Sequence, residues 1–152
     1  MAQTAHEIRP SFEALTLGIA SEVFALDANT VREILEIIPV TEVPGALDFV
    51  PGLINVRGRV VPLADLRIKF GMERVENTED TRIVVVEITL DGEPTIVGLI
   101  ADKVYEVTEI SGASIADTPE TGMSWRADYI KGIGKNGDDF IIIPDIERIF
   151  TS

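Results

Sequence analysis

The side chains able to do acid–base or metal chemistry are unevenly supplied. The 152 residues hold 26 Asp and Glu, 13 Lys and Arg, one His and no Cys, for a formal net charge of −13. Without Cys there is no disulfide, thiolate nucleophile or Cys-ligated zinc or iron–sulfur site. His6 alone cannot supply a histidine triad or a multi-histidine metal centre within one chain. Carboxylates are numerous enough for paired acid/base chemistry, yet none falls in a recognisable catalytic or metal-ligand spacing. Asp138-Asp139 follows Asn136-Gly137 and reads as a solvated hairpin tip, and Glu79-Asp80 falls in a charged stretch. Gly132-Ile133-Gly134-Lys135-Asn136-Gly137 matches the G-x-G-x-x-G phosphate-loop pattern. It runs on into Asp138-Asp139 and the apolar run Phe140–Ile143, so no helix N-terminus is available to hold a pyrophosphate. Ser and Thr have no general base such as His beside them. No catalytic residue, metal or cofactor is expected.

Charge narrows the partners further. Nucleic-acid affinity rests on Lys and Arg displacing counterions, and anionic membrane surfaces also favour basic chains. An excess of carboxylates disfavours both. The polar opening MAQTAHEIRPS lacks the apolar stretch of a signal peptide, and no run approaches the roughly 20 apolar residues that span a bilayer. The cytoplasm is the expected compartment, with no direct membrane contact.

The elements that must position any site are short and β-rich. Leu15–Leu17 and Val23–Leu26 read as strands joined through Gly18–Glu22, and Leu53–Val61 as two strands folding back at Arg57-Gly58. Ile83–Leu90 and Thr95–Ala101 form a hairpin at Asp91-Gly92, and Ile130–Gly134 and Phe140–Ile143 another at Asn136-Gly137. Such dipeptides tolerate the positive φ that tight hairpin turns need. Many short strands of this kind predict an all-β barrel or sandwich. One segment reads as helical. In Asn29–Ile38 the residues Val31, Ile34, Leu35 and Ile38 follow i, i+3, i+4, i+7 spacing, Asp27 or Asn29 is placed to cap it, and Pro39 ends it. Pro62 and Pro144 are expected at edges or strand starts.

The chain also resembles itself. Shifted by 73 residues, Leu15–Ile37 falls on Ile88–Ile110 with 8 identities in 23 ungapped positions, among them Val31 on Val104 and Glu33 on Glu106. Shifted by 80, Phe49-Val50-x-Gly52-Leu53 meets Tyr129-Ile130-x-Gly132-Ile133, Asp65-Leu66 meets Asp145-Ile146, and Phe70 meets Phe150. This predicts two copies of one β-rich unit after a loose tail at residues 1–11. They span 12–78 and 79–150, divided in the charged stretch Glu73–Asp80. A unit of about 70 residues is near the size at which one core is marginally stable, so the two should pack together. Residues 1–78 carry net −4 and residues 79–152 net −9, which places most of the negative surface on the second unit.

Two features invite a binding role. Glu33 lies among Val31, Ile34 and Leu35, and Arg57 lies in an apolar hairpin, so the two could pair bidentately. Arg57 could equally stand free in water at its turn tip. Val31 and Ile34 recur three apart as Val104 and Val107. If the units face each other, these four either line a groove for an amphipathic helix or form the core between the units.

These residues carry a resemblance. Val31-Arg32-Glu33-Ile34-Leu35, Gly52-Leu53-Ile54-Asn55-Val56-Arg57-Gly58 and Val61-Pro62-Leu63-Ala64-Asp65-Leu66-Arg67 closely resemble the CheW family, the coupling proteins of bacterial chemotaxis. Val97–Val104, Tyr129–Ile133 and Ile143-Pro144-Asp145-Ile146-Glu147 agree, so the resemblance runs from Phe12 to Phe150. The regulatory domain of the kinase CheA and the CheW part of CheV share the pattern but normally sit in longer chains, which favours a stand-alone adaptor. The resemblance implies two small SH3-like β-barrels packed on each other, with one short helix after the first hairpin. It implies a non-enzymatic scaffold that couples the helical-hairpin tips of chemoreceptors to the CheA histidine kinase at membrane-bound arrays. Carried over by position, the receptor-facing residues are Val31, Glu33, Ile34, Arg57, Val104 and Val107, and the kinase-facing residues are Val40, Thr41, Val43 and Val60. The first hairpin, Leu17–Phe24, looks slightly longer than the family's, and Ser111–Ala127, with Trp125 and Arg126, matches no family motif.

Two other function classes compete. A carboxylate acid/base enzyme needs two carboxylates converging in a pocket with separated pKa values. An SH3-like module for proline-rich peptides needs an aromatic groove, and the first unit has no Trp or Tyr.

Overall fold

A computed structural model describes residues 9–73, 75–117, 127–136 and 138–151. His6, Trp125, Arg126 and the Gly137 turn position lie outside the described residues. In chain order the strands are β1 (Phe12–Ile19), β2 (Glu22–Asp27), β3 (Val31–Glu36), β4 (Gly52–Val56) and β5 (Arg59–Ala64), followed by the helix α1 (Leu66–Lys69). Then come β6 (Arg82–Leu90), β7 (Glu93–Ala101), β8 (Lys103–Ile110), β9 (Ile130–Asn136), β10 (Asp139–Pro144) and the helix α2 (Ile146–Thr151).

The expected hairpins form where their turn residues allow. Arg57 and Gly58 take φ of 53° and 84°, and Asp91 and Gly92 take 51° and 80°, the left-handed pairs that match the twist of the flanking strands. Asn55 Oδ1 accepts from the Gly58 amide at 2.8 Å and closes the first of these turns.

The helix expected over Asn29–Ile38 is not there. Helical geometry is confined to one 3₁₀ turn, Ala28–Thr30, where the Asp27 carboxylate accepts from the Asn29 amide at 2.9 Å. Val31–Glu36 is a strand whose side chains alternate between half-buried and exposed, and it pairs antiparallel with β6 from Val31↔Val86 to Glu36↔Arg82. So short a helix pays its nucleation penalty for few bonds, whereas β6 offers a complete ladder to β-branched residues. The prolines also depart in part from expectation. Pro144 closes β10 at a register shift. Pro62 stands inside β5, where the register with β7 involves only the following residues, Leu63 and Ala64.

Two five-stranded curled sheets result, ordered β8-β1-β2-β10-β9 and β3-β6-β7-β5-β4. The internal repeat is visible here. The order β1, β2, β3, β4, β5, α1 recurs as β6, β7, β8, β9, β10, α2, and the two sheet orders map onto each other under that exchange. Each sheet combines the leading hairpin of one repeat with three strands of the other. The expected boundary near residue 78 therefore separates the repeats but not the sheets. The second sheet is continuous in sequence, from Val31 to Ala101, and is inserted between β2 and β8 of the first.

Alternation along the strands builds three cores. Leu15, Leu17 and Ile19 of β1 and Val84, Val86 and Ile88 of β6 face a central core between the sheets, joined by Leu66 of α1 and Ile149 of α2. The opposite faces fill the sheet interiors, with Ile83 and Val85 in one and Ala14 and Ala25 in the other. Burial on both faces explains why β6 reads as an almost unbroken apolar run. Full burial of such a side chain contributes about 2 kcal/mol. The repeat marks this core again in its aromatics. Phe49 meets Phe150 edge-on at 5.3 Å, and the repeat-related Tyr129 meets Phe70 at 6.3 Å. The Lys69 ammonium lies 4.7 Å from the ring centroids of both Phe49 and Tyr129.

The repeated glycines have a steric cause. Thr41 and Leu53 exchange two 2.8 Å backbone bonds across the edge of β4, and Ala116 and Ile133 exchange bonds of 2.8 and 2.9 Å at β9. A Cβ on Gly52 would lie 2.2 Å from the Thr41 carbonyl oxygen, and one on Gly132 would lie 3.1 Å from that of Ala116. Because backbone blocks the site at β4, Gly52→Ala is expected to lower stability by about 2 kcal/mol in urea unfolding. An unchanged midpoint would show that the crossing segment yields freely.

Candidate functional site

The β4–β5 turn carries Arg57 outward, and β3 brings Glu33 to meet it. Arg57 Nε lies 3.2 and 3.3 Å from the two Glu33 carboxylate oxygens, and Nη2 lies 3.3 Å from one of them. The predicted pair is formed, with the Arg57 side chain 80% exposed and Glu33 24% exposed. The hydrogen bonds to Glu33, and then its negative charge, raise the Arg57 pKa above the usual arginine value. A folded-state pKa raised in this way loses its contribution only as pH rises through it, so the guanidinium stays charged throughout the neutral and acid range. The exposed pair fixes geometry more than it adds stability. Beside it Arg32 Nη2 meets Glu87 at 2.9 Å, and Arg59 lines the same cavity at the mouth of the second sheet. In a chain of net charge −13, this mouth gathers three arginines.

The four expected groove residues do not form one stripe. Val31 and Val104 pack against the central core, whereas Ile34 and Val107 are 43% and 55% exposed. Residues three apart in a strand point to opposite faces, so a spacing suited to a helix splits each pair. Val31 and Val104 thus belong to the core reading, and Ile34 and Val107 to the surface. The four stand on β3 and β8, outer strands of different sheets.

The other group gathers at the far edge of the second sheet. Thr41 bridges to Leu53 of β4, and the Val40 side chain lies over Gly52. Val40 and Val43 are exposed on the segment before β4, and Val60 is 73% exposed on the paired strand β5. Each of the three valines leaves apolar surface open to solvent.

Sequence reasoning passed over a buried ionic cluster. Arg67, 3% exposed, meets Asp65 through Nε at 2.9 Å and Nη2 at 3.0 Å, and its Nη1 reaches Asp102 at 2.9 Å and the Val75 carbonyl at 3.0 Å. Bonding to Asp65 raises the Arg67 pKa, partly against the effect of burial. Asp102 also accepts from the Ala20 amide at 2.6 Å, in the β1–β2 turn. The cluster thus ties the end of β5 to the opposite sheet. Two carboxylates do converge here, and Arg67 bonds to both of them. The sequence signals were that Asp65, Arg67 and Asp102 stand beside apolar runs and fall in segments that carry the family resemblance.

The CheW-like domain family matches residues 13–152. The chain belongs to the CheW-like family. The chemotaxis protein CheW of Klebsiella aerogenes is 31% identical over 140 residues, covering 92% of this chain and 82% of that one. CheW of Helicobacter pylori is 34% identical over 131 residues, covering 86% and 76%. The crystal structure of the scaffolding protein TtCheW from Thermoanaerobacter tengcongensis superposes with a TM-score of 0.82 at 29% identity, over 100% of this chain and 94% of that one. The expected all-β CheW fold is correct, and the role that accompanies it is that of a chemotaxis coupling scaffold. Among the described residues no group of three or more His, Cys, Asp or Glu is placed to hold a metal, and no helix is long and apolar enough to cross a membrane.

Proposed function

We propose that this chain is a non-enzymatic cytoplasmic adaptor that couples the helical-hairpin tip of chemoreceptors to the regulatory domain of the CheA histidine kinase, and is recruited through them to membrane-bound arrays. The observation that carries the reading is the presence of two separate exposed surfaces on one CheW-like fold. One is the charged mouth at Glu33 and Arg57. The other is the apolar edge at Val40, Val43 and Val60. An adaptor needs two such surfaces and no reactive group.

The receptor tip is assigned to Glu33 and Arg57 with Ile34 and Val107 exposed on β3 and β8 and Val31 and Val104 behind them. The kinase is assigned to Val40, Thr41, Val43 and Val60. Arg57→Glu places like charges beside Glu33 on a fully solvated turn. It is expected to weaken binding of a receptor tip fragment by about tenfold or more while leaving unfolding and kinase binding unchanged. Val60→Glu is expected to do the converse. Isothermal titration of both variants against both partners checks this, and loss of both partners in either variant would reject the assignment.

A further inference from the structure

The repeat supplies an internal comparison between the two sheet mouths. In the second sheet, Glu33 on β3 holds the Arg57 guanidinium, with Arg59 and Val61 of β5 beside it. Under the same two sequence shifts, Glu33 corresponds to Glu106 on β8, and Arg59 and Val61 correspond to Asp139 and Ile141 on β10. These three line one cavity at the mouth of the first sheet, together with Thr16, Val23 and Tyr105. The residue aligned with Arg57 is Gly137, which has no side chain to offer. Glu106 and Asp139 are exposed and make no ion pair among the described residues.

The mouth is nevertheless built. The buried Thr16 hydroxyl donates to the Glu106 carbonyl at 2.9 Å and accepts from the Glu106 amide at 3.3 Å, so the backbone that carries this carboxylate is fixed at two points. Tyr105 is 51% exposed, and the Lys103 ammonium lies 5.8 Å from its ring centroid, so the ring already has a cation near it. Phe140, the repeat counterpart of Val60, is 65% exposed next to Asp139. Carboxylates beside aromatic rings match a guanidinium, which bonds in its plane and stacks on its face.

We propose that the mouth of the first sheet is a docking site for an arginine side chain presented by a partner protein. That arginine plays toward Glu106 the part that Arg57 plays toward Glu33 within the chain. The site shares β8 with the surface assigned to the receptor tip, since Tyr105 and Glu106 lie between Val104 and Val107, and it lies on a different sheet from the residues assigned to the kinase.

The test uses the full ¹⁵N-labelled chain, titrated with the blocked peptide acetyl-Val-Arg-Gly-amide and followed by amide shifts. The expected result is a set of shifts confined to the neighbourhood of Tyr105, Glu106 and Asp139. Apparent affinity should fall about tenfold when citrulline replaces arginine, and the shifts should vanish in the E106Q/D139N variant. Both substitutions are at exposed, near-isosteric positions, so the fold is retained. Shifts scattered over the acidic surface, equal binding of the lysine or citrulline peptide, or no shifts would overturn the proposal. Self-association of the chain that is lost in E106Q/D139N would also overturn it, by making the source of the arginine a second copy.

Discussion

Arg67→Ala is expected to lower the unfolding free energy by about 3–5 kcal/mol, the range for breaking a buried ion pair from one side. Asp65 is fully buried, and truncation leaves its carboxylate without the guanidinium that bonds to both of its oxygens. The Val75 carbonyl and one Asp102 oxygen lose their donor in the same step. In a domain of this size, the loss should appear as a fall in melting temperature of about 10 °C or more. Urea unfolding should show a lower midpoint with little change in slope, because the surface exposed on unfolding is the same. Arg67→Lys keeps the charge but cannot present the planar fork that reaches Asp65, Asp102 and Val75 together, so it should recover only part of the loss. Asp102→Asn should cost less than Arg67→Ala, since Asp102 is partly solvated and its amide replacement can still accept from Ala20. A midpoint for Arg67→Ala within about 0.5 kcal/mol of wild type would show that the cluster contributes no stability.

Cutting the chain between its repeats should abolish folding. A fragment of residues 1–78 keeps β1 to β5 but loses β6 and β7 from between β3 and β5. It also removes β8 from beside β1 and β10 from beside β2. Its central-core residues Leu15, Leu17, Phe24 and Leu66 would have no opposing sheet. The fragment is therefore expected to lack a cooperative melt in circular dichroism, and mixing it with residues 79–152 should restore the β signal. A fragment of residues 31–101 holds all five strands of the second sheet and its interior core, so it should retain more β-structure than 1–78 even with its central face uncovered. A cooperative melt from 1–78 alone would mean that the repeats are independent domains after all.

What the sequence made legible follows from the range of each interaction. Hairpins at Arg57-Gly58 and Asp91-Gly92 are local events, set by residues that tolerate positive φ, and they form where expected. Glu33 and Arg57 were recoverable because each is a charged residue in an otherwise apolar element, which invites a partner. The strand β3 was misread because six residues are too few to separate period 3.6 from period 2, and β6, some 50 residues away, decides the matter. The same misreading merged Ile34 with Val31 and Val107 with Val104. The exchange of hairpins between repeats was invisible for a further reason. Two contiguous barrels and two exchanged ones bury the same apolar pattern, and only the strand pairing distinguishes them. Arg67 was missed because an arginine at the end of an apolar run normally snorkels to water; here Asp65 and Asp102 hold it inside.

In the proposed adaptor role, one chain holds two partners at once through two surfaces. The direct measurement is titration of a complex already saturated with the CheA regulatory domain by a receptor tip fragment. The tip is expected to bind the preformed complex with the affinity it has for the free chain, and the three components to elute together. Binding to neither partner, or displacement of one by the other, would contradict it.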